Sequence, residues 1–441
     1  MKATSIGSLV GISLLALAAC SEKEVILPGE RIAVRPGDSA AVIAEAATDV
    51  SAEVVPLRLA APERLAAWPL RVGNARNDPP HATLSAAPQR VWSANVGAGD
   101  SRRQRITADP VSDGSRIYTL DAKSGVTATT TGGATVWTRS LVPPSEKDSD
   151  ASGGGLAVVD GTVYATTGYG ELHALDAATG AERWVQRLDA PVTTPKVANG
   201  LVYVVSRDNR AWAIRADNGR VQWDIPAGAA PAAMATSPAP AVDGRLVIFP
   251  FANGEVVSTL QVSGIRVWGS SVSGRRRGVA SNFVGDITGD PVVSDGVVYA
   301  GTSAGRSVAL DQASGTRIWT GSDGAVSPMV LAGGSLFAVS DRAQLLRMDA
   351  ATGDVIWRTD LPYYRNQRLK RRQGIYAHYG PVLAGGRLWV ASSDGVLRGF
   401  DPETGVLAAQ TEVPGGAASR PIAFGDALYV VGRNGQLHAF R

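Results

Sequence analysis

Ala174-Leu175-Asp176-Ala177-Ala178-Thr179-Gly180-Ala181-Glu182-Arg183-Trp184 is the stretch whose reading decides the fold, because its pattern returns along most of the chain. Asp311 precedes Trp319 by eight residues and Asp349 precedes Trp357 by eight, with Gly315 and Gly353 four before those tryptophans. Gly133 and Trp137, Gly219 and Trp223, and Gly264 and Trp268 keep the four-residue spacing without the Asp. A second pattern lies upstream of each copy, as in Asp160-Gly161-Thr162-Val163-Tyr164 and Asp295-Gly296-Val297-Val298-Tyr299. A period of roughly 40–50 residues with short apolar runs, turns and a Trp is the signature of a propeller or solenoid.

One repeat can be read as four strands. Pro291-Val292-Val293 is an inner strand, and Asp295-Gly296 turns it into Val297-Val298-Tyr299, since a tight hairpin needs φ > 0 at its centre. A third strand carries Val308 and Leu310; Asp311 and Ser314-Gly315 form a polar turn, and the fourth strand carries Trp319. Such a sheet is too small to cover both of its faces alone, and radial stacking covers them. Asp176, Gly180, Trp184, Trp319 and Trp357 are therefore structural repeat residues.

Trp92, Trp137, Trp184, Trp223, Trp268, Trp319 and Trp357 occupy the Trp slot, and Ala409 stands eight after Asp401 in an otherwise regular copy. The strand around Trp92 has no three strands before it, and the chain ends at Leu437-His438-Ala439-Phe440-Arg441, where a third strand finishes without a fourth. The fold class expected is all-β: an eight-bladed β-propeller of four-stranded antiparallel blades. Pairing of the N- and C-terminal strands closes it, with residues 418–441 and the Trp92 strand as the last blade.

Composition fits a turn-rich fold, with 50 glycines among 441 residues and 44% hydrophobic residues. A formal charge of only +3 argues against a nucleic-acid partner gripped along the whole surface. The single cysteine, Cys20, excludes an internal disulfide and a cysteine metal cluster. Ile6 to Ala18 is an apolar run of signal-peptide length ending in Leu17-Ala18-Ala19-Cys20. Residues 1–19 are thus expected to be a lipoprotein signal peptide, with Cys20 the lipidated residue. Residues 20–67, broken by Pro28, Pro36, Pro56 and Pro62, are expected to be a flexible tether, and residues 68–441 the propeller.

The Ala-x-Asp-x-x-Thr-Gly-x-x-x-Trp pattern resembles the tryptophan-docking motif of quinoprotein (PQQ-type) propeller repeats. Joined to a Leu-Ala-Ala-Cys lipobox, a tether and one eight-bladed ring, it resembles the BamB family, the propeller lipoproteins of the outer-membrane β-barrel assembly machine. The lead-in from Trp68 to His81 looks like that of the alphaproteobacterial members. The resemblance implies a non-enzymatic scaffold on the periplasmic face of the outer membrane, without cofactor. Its partners would be the POTRA domains of a BamA-like barrel subunit and other assembly-machine lipoproteins. Ser21 after Cys20 implies sorting to the outer membrane.

Two other classes stay open. Quinoprotein dehydrogenases with this repeat bind pyrroloquinoline quinone and calcium in the central channel, but Asp160, Asp243, Asp295, Asp176, Asp311, Asp349 and Asp401 all occupy turn slots. The four histidines lack metal-ligand spacing: His173 and His438 share one repeat slot and read as packing, while His81 and His378 read as isolated loop residues. A propeller that binds an anionic envelope polymer is the other class.

The long links between blades, near residues 97–108, 140–153, 226–237, 270–289 and 362–379, fall on one face and carry the Arg clusters. By resemblance the link before Pro291 docks the barrel subunit. Asp286 matches the first Asp of the family's Asp-x-Asp element there, and Thr288 departs from the second. The expected docking residues are Phe283, Asp286 and Ile287, with Met234 beside them and Arg275, Arg276 and Arg277 at the edge. An apolar centre with charges at its rim is the usual anatomy of a specific interface.

Overall fold

The structure is a computed structural model that describes residues 55–229, 238–272, 274 and 285–441. Eight four-stranded antiparallel sheets account for its strands, as the repeat requires. Blade 1 runs from Val111–Ser112 to Thr135–Ser140, blade 2 from Leu156–Val159 to Glu182–Arg187, and blade 3 from Lys196–Ala198 to Val221–Pro226. Blade 4 spans Ala241–Asp243 to Arg266–Ser271, blade 5 Val292–Ser294 to Arg317–Gly321, and blade 6 Val330–Ala332 to Val355–Asp360. Blade 7 spans His378–Ala384 to Leu407–Glu412. Blade 8 takes Ile422–Phe424, Ala427–Val431 and Gln436–Phe440 from the C-terminus and Arg90–Asn95 from the N-terminal side. Trp92 pairs with Ala439 and Ser93 with His438, which is the closure expected. The only helical element among the described residues is a 3-10 turn at Leu369–Arg371.

The motif shows why the repeat has its spelling. Asp160 and Gly161, with φ of 49° and 69°, form the two-residue hairpin turn that matches the strand twist. In the next turn the Asp176 carboxylate accepts from Thr179 N (2.9 Å), Thr179 Oγ1 (2.9 Å) and Arg183 (2.8 Å). Arg183, followed by these Thr179 bonds, holds that carboxyl down to about 2. Gly180 sits at φ 73°, and a Cβ there would lie 2.7 Å from the Trp137 ring of the preceding blade. The Trp137 indole N–H donates across the seam to Ala177 O at 3.1 Å. Trp184 does the same to Ala216, Trp223 to Gln261, Trp268 to Gln312, Trp319 to Ala350, Trp357 to Pro402 and Trp92 to Thr131.

Small residues beneath each Trp make room for it. Ala128, Ala174, Ala213, Ala309 and Ala439 stand opposite Trp137, Trp184, Trp223, Trp319 and Trp92. Blade 6 departs, with Arg347 opposite Trp357, and blade 7 departs, with Gly399 opposite Ala409. In blade 7 the bulk comes from the neighbouring strand: Trp389 is fully buried, and its ring tip lies 2.8 Å from where a Gly399 Cβ would be.

Residues 55–67 correct the expected tether boundary, because they lie on the blades. Arg347 donates to Val55 O at 2.8 Å, Pro56 O at 3.2 Å and Glu403 O at 3.0 Å. Leu57 N bonds Glu403, Glu63 bridges Ala82, and Gly425 N donates to Leu65 O. Hydrogen bonds at this density are incompatible with a free coil.

Candidate functional site: a plugged channel and the link face

The inner strands of a propeller present an unpaired edge to the central channel, and here the lead-in answers it. Ser112 N of blade 1 donates to Trp68 O, Val158 N of blade 2 to Pro69 O, Val242 N of blade 4 to Ala75 O, and Val293 N of blade 5 to Arg76 O. Asn77, fully buried, donates to Pro240 O (3.2 Å) and Pro291 O (2.8 Å), and Ala82 bridges Ala384 of blade 7. Trp68, Leu70, Val72 and Ala82 are buried, so the segment is an integral plug.

Behind the plug lies a charged cluster. Asp109, Asp290 and Arg420 each precede the proline that opens an inner strand, and Arg71 reaches them from the lead-in. The Arg71 guanidinium stands 3.0 Å from Asp109 and 3.5 Å from Asp290. Asp109 also accepts from Arg420 N at 2.8 Å, and the Arg420 guanidinium donates to Pro381 O at 2.7 Å. Lys196, fully buried, donates to Asn74 O at 3.0 Å and to Asn77 Oδ1. Burial works against the Arg71 charge, but Asp290 and Asp109 outweigh it and its pKa is raised. Burial lowers Arg420 to about 10 and Lys196 to about 7. Both carboxylates already face Arg71, so these side chains do not fit a quinone with calcium, which would need free acidic ligands. Removing one partner from such a buried network costs about 3–5 kcal/mol.

The histidines are structural, and two of them correct the reading as isolated loop residues. His81 donates through Nδ1 to Ala60 O (2.9 Å) and accepts from Gly386 N (2.8 Å), stitching the lead-in to blade 7. His378 is buried between Ser392 and Pro362 O, and burial keeps its pKa below the ordinary value. His173 lies between Glu171 (3.2 Å) and Glu182 (3.1 Å), and burial takes His438 down to about 4. Among the described residues, no group of three His, Cys, Asp or Glu side chains is arranged to hold a metal ion.

On the link face the connection between blades 4 and 5 returns to the ring at residues 285–290. Thr288 donates its hydroxyl to Ala325 O (2.8 Å) and its N–H to Gly301 O, and Ile287 bridges Thr302. Asp286 is 3% exposed and Ile287 1%, with Ile287 packed among Ala241, Val272, Val298 and Ala300. This corrects the expectation that these two form an exposed docking centre: an apolar side chain at that point gains more from the seam between blades 4 and 5 than from solvent. Asp286 faces Arg207 of blade 3 and offsets part of the burial acting on its charge. Both residues seat the link instead. Met234, Phe283, Arg275, Arg276, Arg277 and Cys20 lie outside the described residues.

The sequence reading missed the channel cluster. Its signal was present as a charged residue before proline at Asp109-Pro110, Asp290-Pro291 and Arg420-Pro421, but the two signs and Arg71 meet only in the closed ring.

Comparison with known proteins places this geometry. The family model described as outer membrane protein assembly factor BamB matches residues 122–359. The protein of that name from Yersinia pestis is 25% identical over 361 residues, covering 80% of this chain and 89% of the relative. The one from Escherichia coli K12 is 24% identical, covering 80% and 88%. Among solved structures, BamB from Moraxella catarrhalis superposes with a TM-score of 0.67 at 19% identity, covering 80% of this chain and all (100%) of the other. A quinohemoprotein alcohol dehydrogenase from Comamonas testosteroni reaches the same TM-score, 0.67, at 16% identity, covering 86% and 81%. Both structural likenesses show the fold.

Proposed function

The chain belongs to the outer membrane protein assembly factor BamB family, and from that premise we propose that it is a scaffold lipoprotein of the outer-membrane β-barrel assembly machine. Cys20 carries the lipid that holds it at the periplasmic face of the outer membrane. It works without chemistry of its own, docking the POTRA domains of a BamA-like barrel subunit while other assembly-machine lipoproteins share the complex. What supports the reading, beyond the family, is the plugged channel. With residues 68–82 bonded to the inner strands, the ring offers its link-face loops rather than its axis.

The docking element is the blade 4–5 link, seated by Asp286, Ile287 and Thr288 and carrying Phe283 with Arg275, Arg276 and Arg277. Met234 of the preceding link is assigned to the same contact. A few apolar residues carry most of the energy of such interfaces.

Affinity purification of the tagged chain from solubilised outer membranes tests this. The barrel subunit should come with the wild type and be lost from a Met234→Ala, Phe283→Ala variant that melts like the wild type. A wild type that retrieves no barrel subunit overturns the scaffold reading. A variant that retrieves it at full yield moves the docking site elsewhere.

A further inference from the structure

The link between blades 6 and 7 carries Arg365, Arg368, Lys370, Arg371 and Arg372 within eight residues, and no Asp or Glu occurs from Leu361 to Ser393. The carboxylates that flank this stretch are engaged elsewhere: Asp360 accepts from Gln344 (2.8 Å), and Asp394 pairs with Arg398 (2.6 Å). All five cations are exposed, and none has an ion-pair partner among the described residues. The other described Arg-rich link differs, since Arg105 and Arg433 share Asp100 at 3.1 and 3.2 Å.

The cationic link is also held in shape. Tyr364 bridges Ile375, Arg365 N donates to Gly374 O (2.9 Å), and Tyr376 N donates to Tyr363 O (2.8 Å). The Arg372 guanidinium lies 4.9 Å over the Tyr364 ring, and its Nε donates to Gln367 O. Ile375, half exposed at 51%, stands at the foot of this basic finger.

The geometry points to this finger, residues 363–376, as a contact for the phosphates of anionic lipid headgroups at a bilayer surface. Guanidinium forks match phosphate oxygens in pairs. A bilayer presents a plane of such groups and asks for no shape complementarity. A protein interface selects against lysine at its centre, and Lys370 stands in the middle of this cluster. An exposed apolar residue beside a basic cluster is the composition of an interfacial contact.

The test uses the mature chain from Ser21 onward, so that neither the apolar run Ile6–Ala18 nor an acyl chain contributes. Co-sedimentation compares vesicles of phosphatidylcholine mixed with phosphatidylglycerol against phosphatidylcholine alone. The chain should bind only the anionic vesicles and release as salt shortens the screening length. Arg368→Glu, Lys370→Glu and Arg371→Glu together should weaken partitioning by roughly a hundredfold, at about fivefold per lost cation, with an unchanged melting temperature. Equal binding to both vesicle types, or equal binding by the triple variant, overturns the proposal. So does capture by immobilised poly-glutamate at the strength of the vesicles, which would assign the finger to an acidic polypeptide.

Discussion

The seam between blades 5 and 6 and the seam between blades 7 and 8 solve one problem with different residues. At the first, Trp319 is packed on Gly353 and bonded to Ala350 O at 2.9 Å. At the second the docking position is Ala409, and blade 8 offers no third-to-fourth turn to receive an indole, because that turn is where the chain's two ends meet. Trp389, Tyr379, Ile422, Leu428 and Tyr429 fill the space, and Leu65 and Leu84 of the lead-in pack against the same cluster. A docking motif needs a continuous turn as its receptor. Where the ring is closed by hydrogen bonds alone, larger core residues and a non-repeat segment take over the sealing.

The most severe way to break this comparison is to remove Gln436–Arg441. That strand lies between Ala427–Val431 and Arg90–Asn95, so its loss orphans strands on both sides and opens the closure. A closed ring has no independent half to survive, and the truncated chain should lose its cooperative melting transition altogether. A truncated protein that melts at the wild-type temperature would rule out this closure.

A milder pair of changes asks whether the two seams are worth the same. Trp319 and Trp389 are both buried, and each should cost about 3–5 kcal/mol on replacement by Ala, from lost burial and the cavity left behind. Denaturant midpoints of the two variants at equal m-value give the comparison. If Trp389→Ala is nearly silent while Trp319→Ala is not, the lead-in and not the tryptophan seals the last seam.

Much of this was legible from the repeat. The Thr-Gly turn four residues before a Trp encodes a contact between consecutive blades, so counting Trp slots was enough to give eight blades and the closing strand. The lead-in was harder to read. Residues 55–67 carry prolines and no periodicity because they bond to strand ends and turns scattered around the ring, which leaves no regular spacing. Asp286 and Ile287 were read as surface residues because a long link usually is surface; their burial depends on Val298, Ala300 and Thr302 of the next blade. The buried ions were illegible for a similar reason, since Arg71 and Asp290 are far apart in sequence and meet only across the channel.

That channel carries the smallest effect and the most specific one. Burial strips hydration from the Lys196 ammonium and takes it from 10.5 to about 7; Asp290 offsets part of this and Arg71 adds to it. Between those two values the unfolded chain holds a proton on this residue that the folded chain has released, so stability rises with pH across the window. The contribution is fully present above the unfolded value and is lost as pH falls through about 7. Lys196→Met keeps most of the volume and removes the titration, so its melting temperature should climb less than that of the wild type from pH 7 to about 9. The comparison stops there because tyrosines in the unfolded chain ionise near pH 10. Burial holds Tyr203 and Tyr118 above that value in the fold, which makes their contribution fall with pH and would mask the slope. Parallel curves for the two proteins would mean that Lys196 stays charged in the channel, held by Asn74 and Asn77 rather than discharged by burial.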